Sequence, residues 1–277
     1  MSKFSNSVWL GIAGLCLMSS AAWTGEAGEM GSEVNDMQQV VPFNFAQKPV
    51  RGGSFENKGW PDGMETQIVR FVRMEYDGGG WDDGMDDVSR ADLNFLDSFH
   101  KLTGFTVATN SASHLIRVLS KYPKGYAPPF VYMTGTSDIY VPARDVKIMR
   151  EYLLDGGMLF ASAASPQWGQ SFRGFIGQVF PGQAMIVIAD DDPLFREPYV
   201  FKNGAPPLWH HSGKRVLGIK HHGRWVVYFH PGDIHDAWKT GHSGMEPALA
   251  EEATQIGVNV IYYAYKHYLE KTREYRQ

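Results

Sequence analysis

Between residues 67 and 271 apolar and polar positions alternate in two rhythms, broken at intervals by glycine and proline. Residues 68–75 (IVRFVRME) read as a strand. Ser89 with Asp92 three positions on has the form of a helix start, where a hydroxyl accepts from a free backbone N–H. Leu93, Leu96, Phe99 and Leu102 follow at helical spacing, and Gly104 suits the helix end. Residues 105–108 are a short strand candidate and residues 113–120 a helix candidate. The run FVYM at 130–133 is apolar on both faces and lies between Pro129 and Gly135, the pattern of a buried parallel strand. Val146, Met149 and Leu153 predict a helix closed by Gly156 and Gly157. Residues 158–161 and 184–188 read as two further buried strands. Residues 215–220 and 224–230 read as a hairpin with Gly223 in its turn. Leu249, Ala253, Ile256, Val260 and Ala264 mark a long amphipathic C-terminal helix, and no internal repeat is visible.

Strands alternating with helices across short breaks predict a mostly parallel sheet covered on both faces, with the late hairpin as an antiparallel edge. One α/β domain over residues 67–271, with a tail at 272–277, is the economical organisation. Residues 23–66 are polar and glycine-rich with little periodicity, and read as a linker or loosely packed arm. Residues 1–22 have the layout of a cleaved export signal: Lys3, an apolar segment at 8–18, then the small residues Ser20, Ala21 and Ala22. The expected location is therefore the periplasm or the extracellular space. The apolar segment is short for a bilayer span, so membrane attachment is expected only if it stays uncleaved.

Charge and cysteine usage remove several classes of function. A formal net charge of −4 offers no basic field for nucleic acid. The single cysteine, Cys16, lies in the leader, and Ala13-Gly14-Leu15 before it does not suit lipoprotein processing. A cleaved chain has no cysteine, hence no disulfide, thiolate zinc site or cysteine nucleophile.

The candidate chemistry concentrates late in the chain. Seven of ten histidines fall between 210 and 242: His210, His211, His221, His222, His230, His235 and His242. Neighbours in extended chain point to opposite sides, so the pairs 210/211 and 221/222 each offer at most one inward ligand. In VVYFHPGDIHDAW (226–238) a strand ends at a Pro-Gly break and delivers His230, Asp233 and His235 just past its carboxyl end, where open α/β sheets hold ligands. Three readings stand side by side. The trio holds a divalent metal or works as acid–base groups, it binds a ligand reversibly together with Trp238, or it is a polar turn in which Asp233 accepts backbone N–H bonds. The spacing fits no helical metal motif, and no cofactor is predicted.

Other candidates are Thr134, Gly135 and Thr136 after the FVYM strand, and Asp191 within the triplet 190–192, each a possible ligand contact. Asp77, Asp82, Asp83, Asp86 and Asp87 do not follow the order of a calcium loop and read as a solvated segment. Trp60, Trp81, Trp168, Trp209, Trp225 and Trp238 offer stacking faces for sugars, or ordinary packing.

Several segments in order, VRFVRMEYDGGGW, SRADLNFLDSFHKLTG, PPFVYMTG, MREYLLDGGMLF, FRGFIGQVFPG, GRWVVYFHPGDIHDAW and GVNVIYYAY, together resemble the bacterial domain-of-unknown-function 4159 family over residues 67–265. That family is similar in fold to class I glutamine amidotransferases and trehalose-utilisation-like proteins. The resemblance implies a three-layer flavodoxin-like sandwich and no activity. An amidotransferase nucleophile follows a buried strand on a tight turn, and the corresponding place is residues 160–165, with Ser162 as the candidate nucleophile. Its surroundings are not G-x-S-x-G, and close strand–helix packing is the other use of such small residues.

The expected function is therefore an exported, non-catalytic domain binding a small molecule or an envelope protein. The alternative is a hydrolase of a carbohydrate or envelope substrate, using His230, Asp233 and His235 or Ser162.

Overall fold

A strand that is apolar on both faces must be covered on both faces, and the arrangement follows from that requirement. The computed structural model describes residues 64–207, 215–241 and 247–275. The parallel strands are β1 (Val72–Glu75), β3 (Ala112–Leu115), β4 (Phe130–Met133), β6 (Met158–Ser162) and β9 (Arg224–His230). With β7 (Ile186–Val187) and β8 (Leu217–His221) they form a seven-stranded sheet in the order β3-β1-β4-β6-β9-β8-β7. The first five run parallel, while β8 and β7 add antiparallel pairings at one side. Numbered among themselves, the parallel strands have the order 2-1-3-4-5 of a flavodoxin-like doubly wound sheet, whose order reverses between β1 and β4. The short strands β2 (Asp77–Gly78) and β5 (Ile139–Tyr140) form a separate antiparallel ribbon.

Alternation along β4 divides the core. Phe130 and Tyr132 face α1 (Ala91–Thr103) and α4 (Pro247–Thr272), with Phe71, Phe95, Phe160, Tyr228 and Trp238 in the same cluster. Val131 and Met133 face α2 (Ala143–Leu154) and α3 (Pro166–Val179), with Leu159, Trp168, Phe172 and Phe229. The result is a three-layer sandwich. At Gly257 α4 packs tightly on α1: a β-carbon there would lie 2.6 Å from the Phe95 ring. Burying an aromatic such as Phe160 in this core is worth about 3–5 kcal/mol against alanine.

The pattern at residues 130–133, 158–161 and 224–230, the helix ending before Gly156, and the C-terminal helix all appear as expected. Four readings need correction. The helix entered at Ser89 starts at Ala91, its preceding residue is Arg90 with φ 49°, and no side chain caps it. The helix read at 113–120 is strand β3 followed by the 3-10 turn Ile116–Lys121, because pairing with β1 overrides local preference. The buried strand read at 184–188 shrinks to the two exposed residues of β7, an edge strand with a neighbour on one side only. Residues 105–108 contribute a single bridge, Val107 to Val69. Helix α3 went unread because Gly169, Gly174 and Gly177 dilute its apolar stripe. Its start nevertheless carried a signal: the Ser165 hydroxyl accepts from the Trp168 N–H at 3.0 Å, and Pro166 occupies the first turn.

Candidate functional site

The parallel strands β1, β4, β6 and β9 end at Glu75, Met133, Ser162 and His230. Two segments fold back over that edge. After β9 the chain passes Pro231-Gly232 into the 3-10 turn His235–Trp238, which the indole of Trp238 anchors against Phe71, Phe95, Tyr132 and Phe160. The acidic loop after β2 is drawn down by Arg73, a guanidinium with no exposed surface on β1. Arg73 donates Nη1 to the carbonyls of Trp81 and Asp83 at 3.0 and 2.7 Å, and Nε and Nη2 to the Asp92 carboxylate of α1. This pins the backbone of the loop directly over the sheet.

The centre of the arrangement is His235. Its Nδ1 lies 2.5 Å from Asp233 Oδ1 and its Nε2 lies 3.1 Å from Asp83 Oδ2. Burial opposes a charge on this ring, but the two carboxylates outweigh it, so the imidazole pKa is raised and both nitrogens donate. The hydrogen bond to His235 is the main cause holding Asp83 well below the ordinary carboxylate range, with Lys239 adding to it. Lys239 Nζ donates to both Asp83 oxygens at 3.0 and 2.9 Å and pairs with Asp236 at 3.1 Å. Thr134 Oγ1 stands 3.4 Å from His235 Nδ1.

The crevice where doubly wound sheets accept a ligand lies between β1 and β4, and here the chain fills it. Tyr76 Oη donates to the Thr134 carbonyl at 2.7 Å and accepts from Trp168 Nε1 at 2.7 Å. The Thr136 N–H donates to the Gly79 carbonyl at 3.0 Å, continuing the β2–β5 ribbon across the opening. A β-carbon on Gly135 would lie 2.6 Å from Trp168 Nε1 and 2.7 Å from the Gly79 oxygen. The glycine is required by these neighbours, which occupy the approach a ligand would use.

The candidates read from sequence separate accordingly. His235, Asp233 and Thr134 meet. His230 does not join them: its Nδ1 accepts from the Gly232 N–H at 3.1 Å and its Nε2 faces the Pro206 carbonyl at 3.3 Å, both backbone partners. Asp233 also accepts from the Asp236 N–H at 3.4 Å, the turn contact foreseen for it. Ser162 Oγ shares a 2.6 Å hydrogen bond with Tyr132 Oη, a phenol whose pKa burial pushes up, which makes it no base for a nucleophile. His230, His235 and Ser162 each have 0% of their surface exposed. Asp191 is exposed in the segment after β7, away from the cluster, while its neighbour Asp192 caps a short turn and accepts from Trp225 Nε1. Trp238 packs in the core, and its Nε1–H has no partner among the described residues. His210, His211, His242, Trp60, Trp209 and the whole N-terminal leader lie outside the described residues.

Sequence reading missed Lys239, Arg73 and Tyr132, read Asp83 as part of a solvated segment although it pairs with His235 and Lys239, and gave Asp92 to a helix start although it pairs with Arg73. Two of these carried a signal. Arg73 interrupts an apolar strand, and Asp92 shares the buried face of α1 with Phe95, Leu96 and Phe99, so each implies an opposite charge inside.

Asp83, Asp233 and His235 present donor atoms within 4.8 Å of one another, close enough for a metal. Their bonding makes the set a poor fit. An ion on Asp83 and His235 Nε2 would have to displace the Lys239 ammonium and a proton already held between the two. Asp83 and Asp233 are already engaged by Lys239 and His235. No curated protein matches the chain. The family model described as domain of unknown function (DUF4159) matches residues 70–265, a span that includes every member of this cluster, and the chain belongs to that family.

Proposed function

We propose that this chain is an exported, non-catalytic α/β domain that binds a small ligand or a protein of the cell envelope. The observation that carries the reading is the closure of the carboxyl edge. The β1/β4 crevice is filled by Tyr76, Gly79 and Trp168, and the groups best suited to acid–base work are sealed and bonded to one another. A general base must reach its substrate, and His235 reaches two carboxylates instead. The cluster acts as a latch holding the acidic loop and the His235–Trp238 turn together. The leader at residues 1–22 supports the export part.

The test uses the full chain, purified without a histidine tag. Hydrolysis of sugar esters and amides is measured for the natural chain, His235→Asn and Ser162→Ala, alongside metal content by elemental analysis. The expected result is no turnover, no stoichiometric metal, and a melting temperature indifferent to chelator. Turnover abolished in either variant while its circular dichroism stays native would overturn the reading in favour of a hydrolase.

A further inference from the structure

With the carboxyl edge filled, open cavities lie at the opposite, amino edge of the sheet. One of about 300 Å³ is walled by His221, His222 and Arg224 from the β8–β9 hairpin and by His267, Glu270 and Lys271 from the last turns of α4. Leu154, at the end of α2, is its apolar contact. The hairpin turn is two residues long, and both have positive φ: 47° at His222 and 80° at Gly223. Such a turn ordinarily takes Asn-Gly. A histidine in the first position puts an imidazole at the tip, 4.1 Å ring to ring from His221. On α4, His267 and Lys271 are one turn apart and share a face.

The chain carries a net charge of −4, yet this cavity gathers the opposite sign. Arg224, Lys271 and the adjacent Arg150 meet one lining carboxylate, Glu270, which stands 3.9 Å from His267 Nδ1. Among the described residues, Arg150, Arg224 and Lys271 have no ion-pair partner. Arg224 is held rigidly by carbonyls: Nη2 donates to Leu153, and Nη1 to Gly156 and Gly157, at 2.6 to 3.0 Å. Those bonds cap α2 and complement its dipole, but carbonyls leave the cation's charge unbalanced. Burial is the main cause that lowers the pKa of His221, and the neighbouring His222, Arg224, Arg150 and Lys271 add to it.

We propose that this cavity is an anion site that takes one phosphate group, free or carried on a ligand, with His221, His222 and Lys271 as contacts and Arg224 as a fixed positive centre. Phosphate suits the site because a tetrahedral anion with several acceptor oxygens can meet donors converging from two directions, the hairpin and the helix. The volume is at the lower end of small-molecule sites, and the negative charge elsewhere disfavours a long polyanion. An arriving anion makes His221 easier to protonate, so binding takes up protons and is stronger at about pH 6 than at about pH 8. The assignment rests on the reading of the chain as a binding domain.

The experiment is a titration of the full chain with inorganic phosphate, following histidine ring resonances by NMR at both pH values, with chloride at matched ionic strength as control. In parallel, sedimentation is measured with phosphatidylglycerol vesicles and with phosphatidylcholine vesicles. Supporting results are saturable shifts of His221 and His222, tighter at the lower pH, and weakened about tenfold or more in Lys271→Ala and His221→Gln at unchanged melting temperature. His222→Asn, which keeps the left-handed turn, weakens binding without loss of stability. Sedimentation with phosphatidylglycerol vesicles alone, abolished by the same variants, supports the site with a lipid headgroup as the phosphate source. Shifts equal to those in chloride, or binding untouched by all three variants, overturn it. That failure leaves the non-catalytic reading standing, whereas turnover abolished in a native-like His235→Asn defeats that reading and leaves the titration unaffected.

Discussion

His235 and Asp83 are 152 positions apart in the chain, and their side chains meet at 3.1 Å across the carboxyl edge of the sheet. With Asp233 on its other nitrogen, His235 is an imidazolium held between two carboxylates. This joins the loop before α1 to the turn after β9.

A stability difference with a definite pH sign follows from that geometry. The pKa of His235 is raised above its ordinary 6.5, so its contribution is complete below 6.5 and is lost as pH rises through the folded value. Asp83, lowered from 3.8, contributes above that value and loses its contribution as pH falls through the folded one. His235→Asn is expected to cost about 3 kcal/mol near pH 6, since it leaves two carboxylates without their shared cation. The gap from the natural chain narrows as pH rises beyond 6.5, measured by urea unfolding across that range. A gap constant with pH would mean the ring is neutral in the folded chain.

Arg73 and Asp92 are both buried, with the Nη2 to Oδ1 distance at 2.6 Å. Arg73→Met strands a carboxylate inside the protein and is expected to cost about 3–5 kcal/mol. Arg73→Met with Asp92→Leu removes both charges and recovers at least half of that loss in denaturant titration. Hydrogen exchange around residues 81–83 rises in both, because the carbonyls of Trp81 and Asp83 lose their donor.

Gly135→Ala drives a methyl group into Tyr76, Trp168 and Gly79. A loss of about 1–3 kcal/mol is expected. Because the Tyr76 hydroxyl is the nearest obstacle, the same substitution costs less in a Tyr76→Phe background, and a double-mutant cycle on thermal unfolding measures the coupling. Additive effects would show that the crevice is looser than the contacts imply.

Ser162→Ala removes one hydrogen bond, the one shared with Tyr132, at a cost of about 1 kcal/mol. Any cellular phenotype that depends on the chain is expected to survive it at equal protein abundance, checked by complementation with immunoblotting. Loss of phenotype at equal abundance would return Ser162 to the list of active groups.

Much of the fold was legible because periodic burial is a local property. FVYM at 130–133 needs no distant information to read as a doubly buried strand, and Val146, Met149 and Leu153 lie on one helix face whatever they pack against. The failures fall where a neighbour decides. β3 is a strand because β1 offers its edge, β7 is short because it has one partner, and α3 persists through three glycines because it packs Trp168, Phe172 and Ile176 on the sheet. The site divides in the same way. Sequence alone determined that His230 comes at the carboxyl end of a buried strand with Asp233, His235 and Trp238 just after it, because strand and turn signals span a few residues. Only the tertiary structure decided that His235 turns towards Asp83 while His230 turns to its own backbone, and that the crevice beside them is filled by Tyr76 and Trp168. Those choices depend on charges and hydroxyls brought together from β1, α1, α3 and two loops, and a charge finds its partner by distance in space, which separation along the chain does not encode.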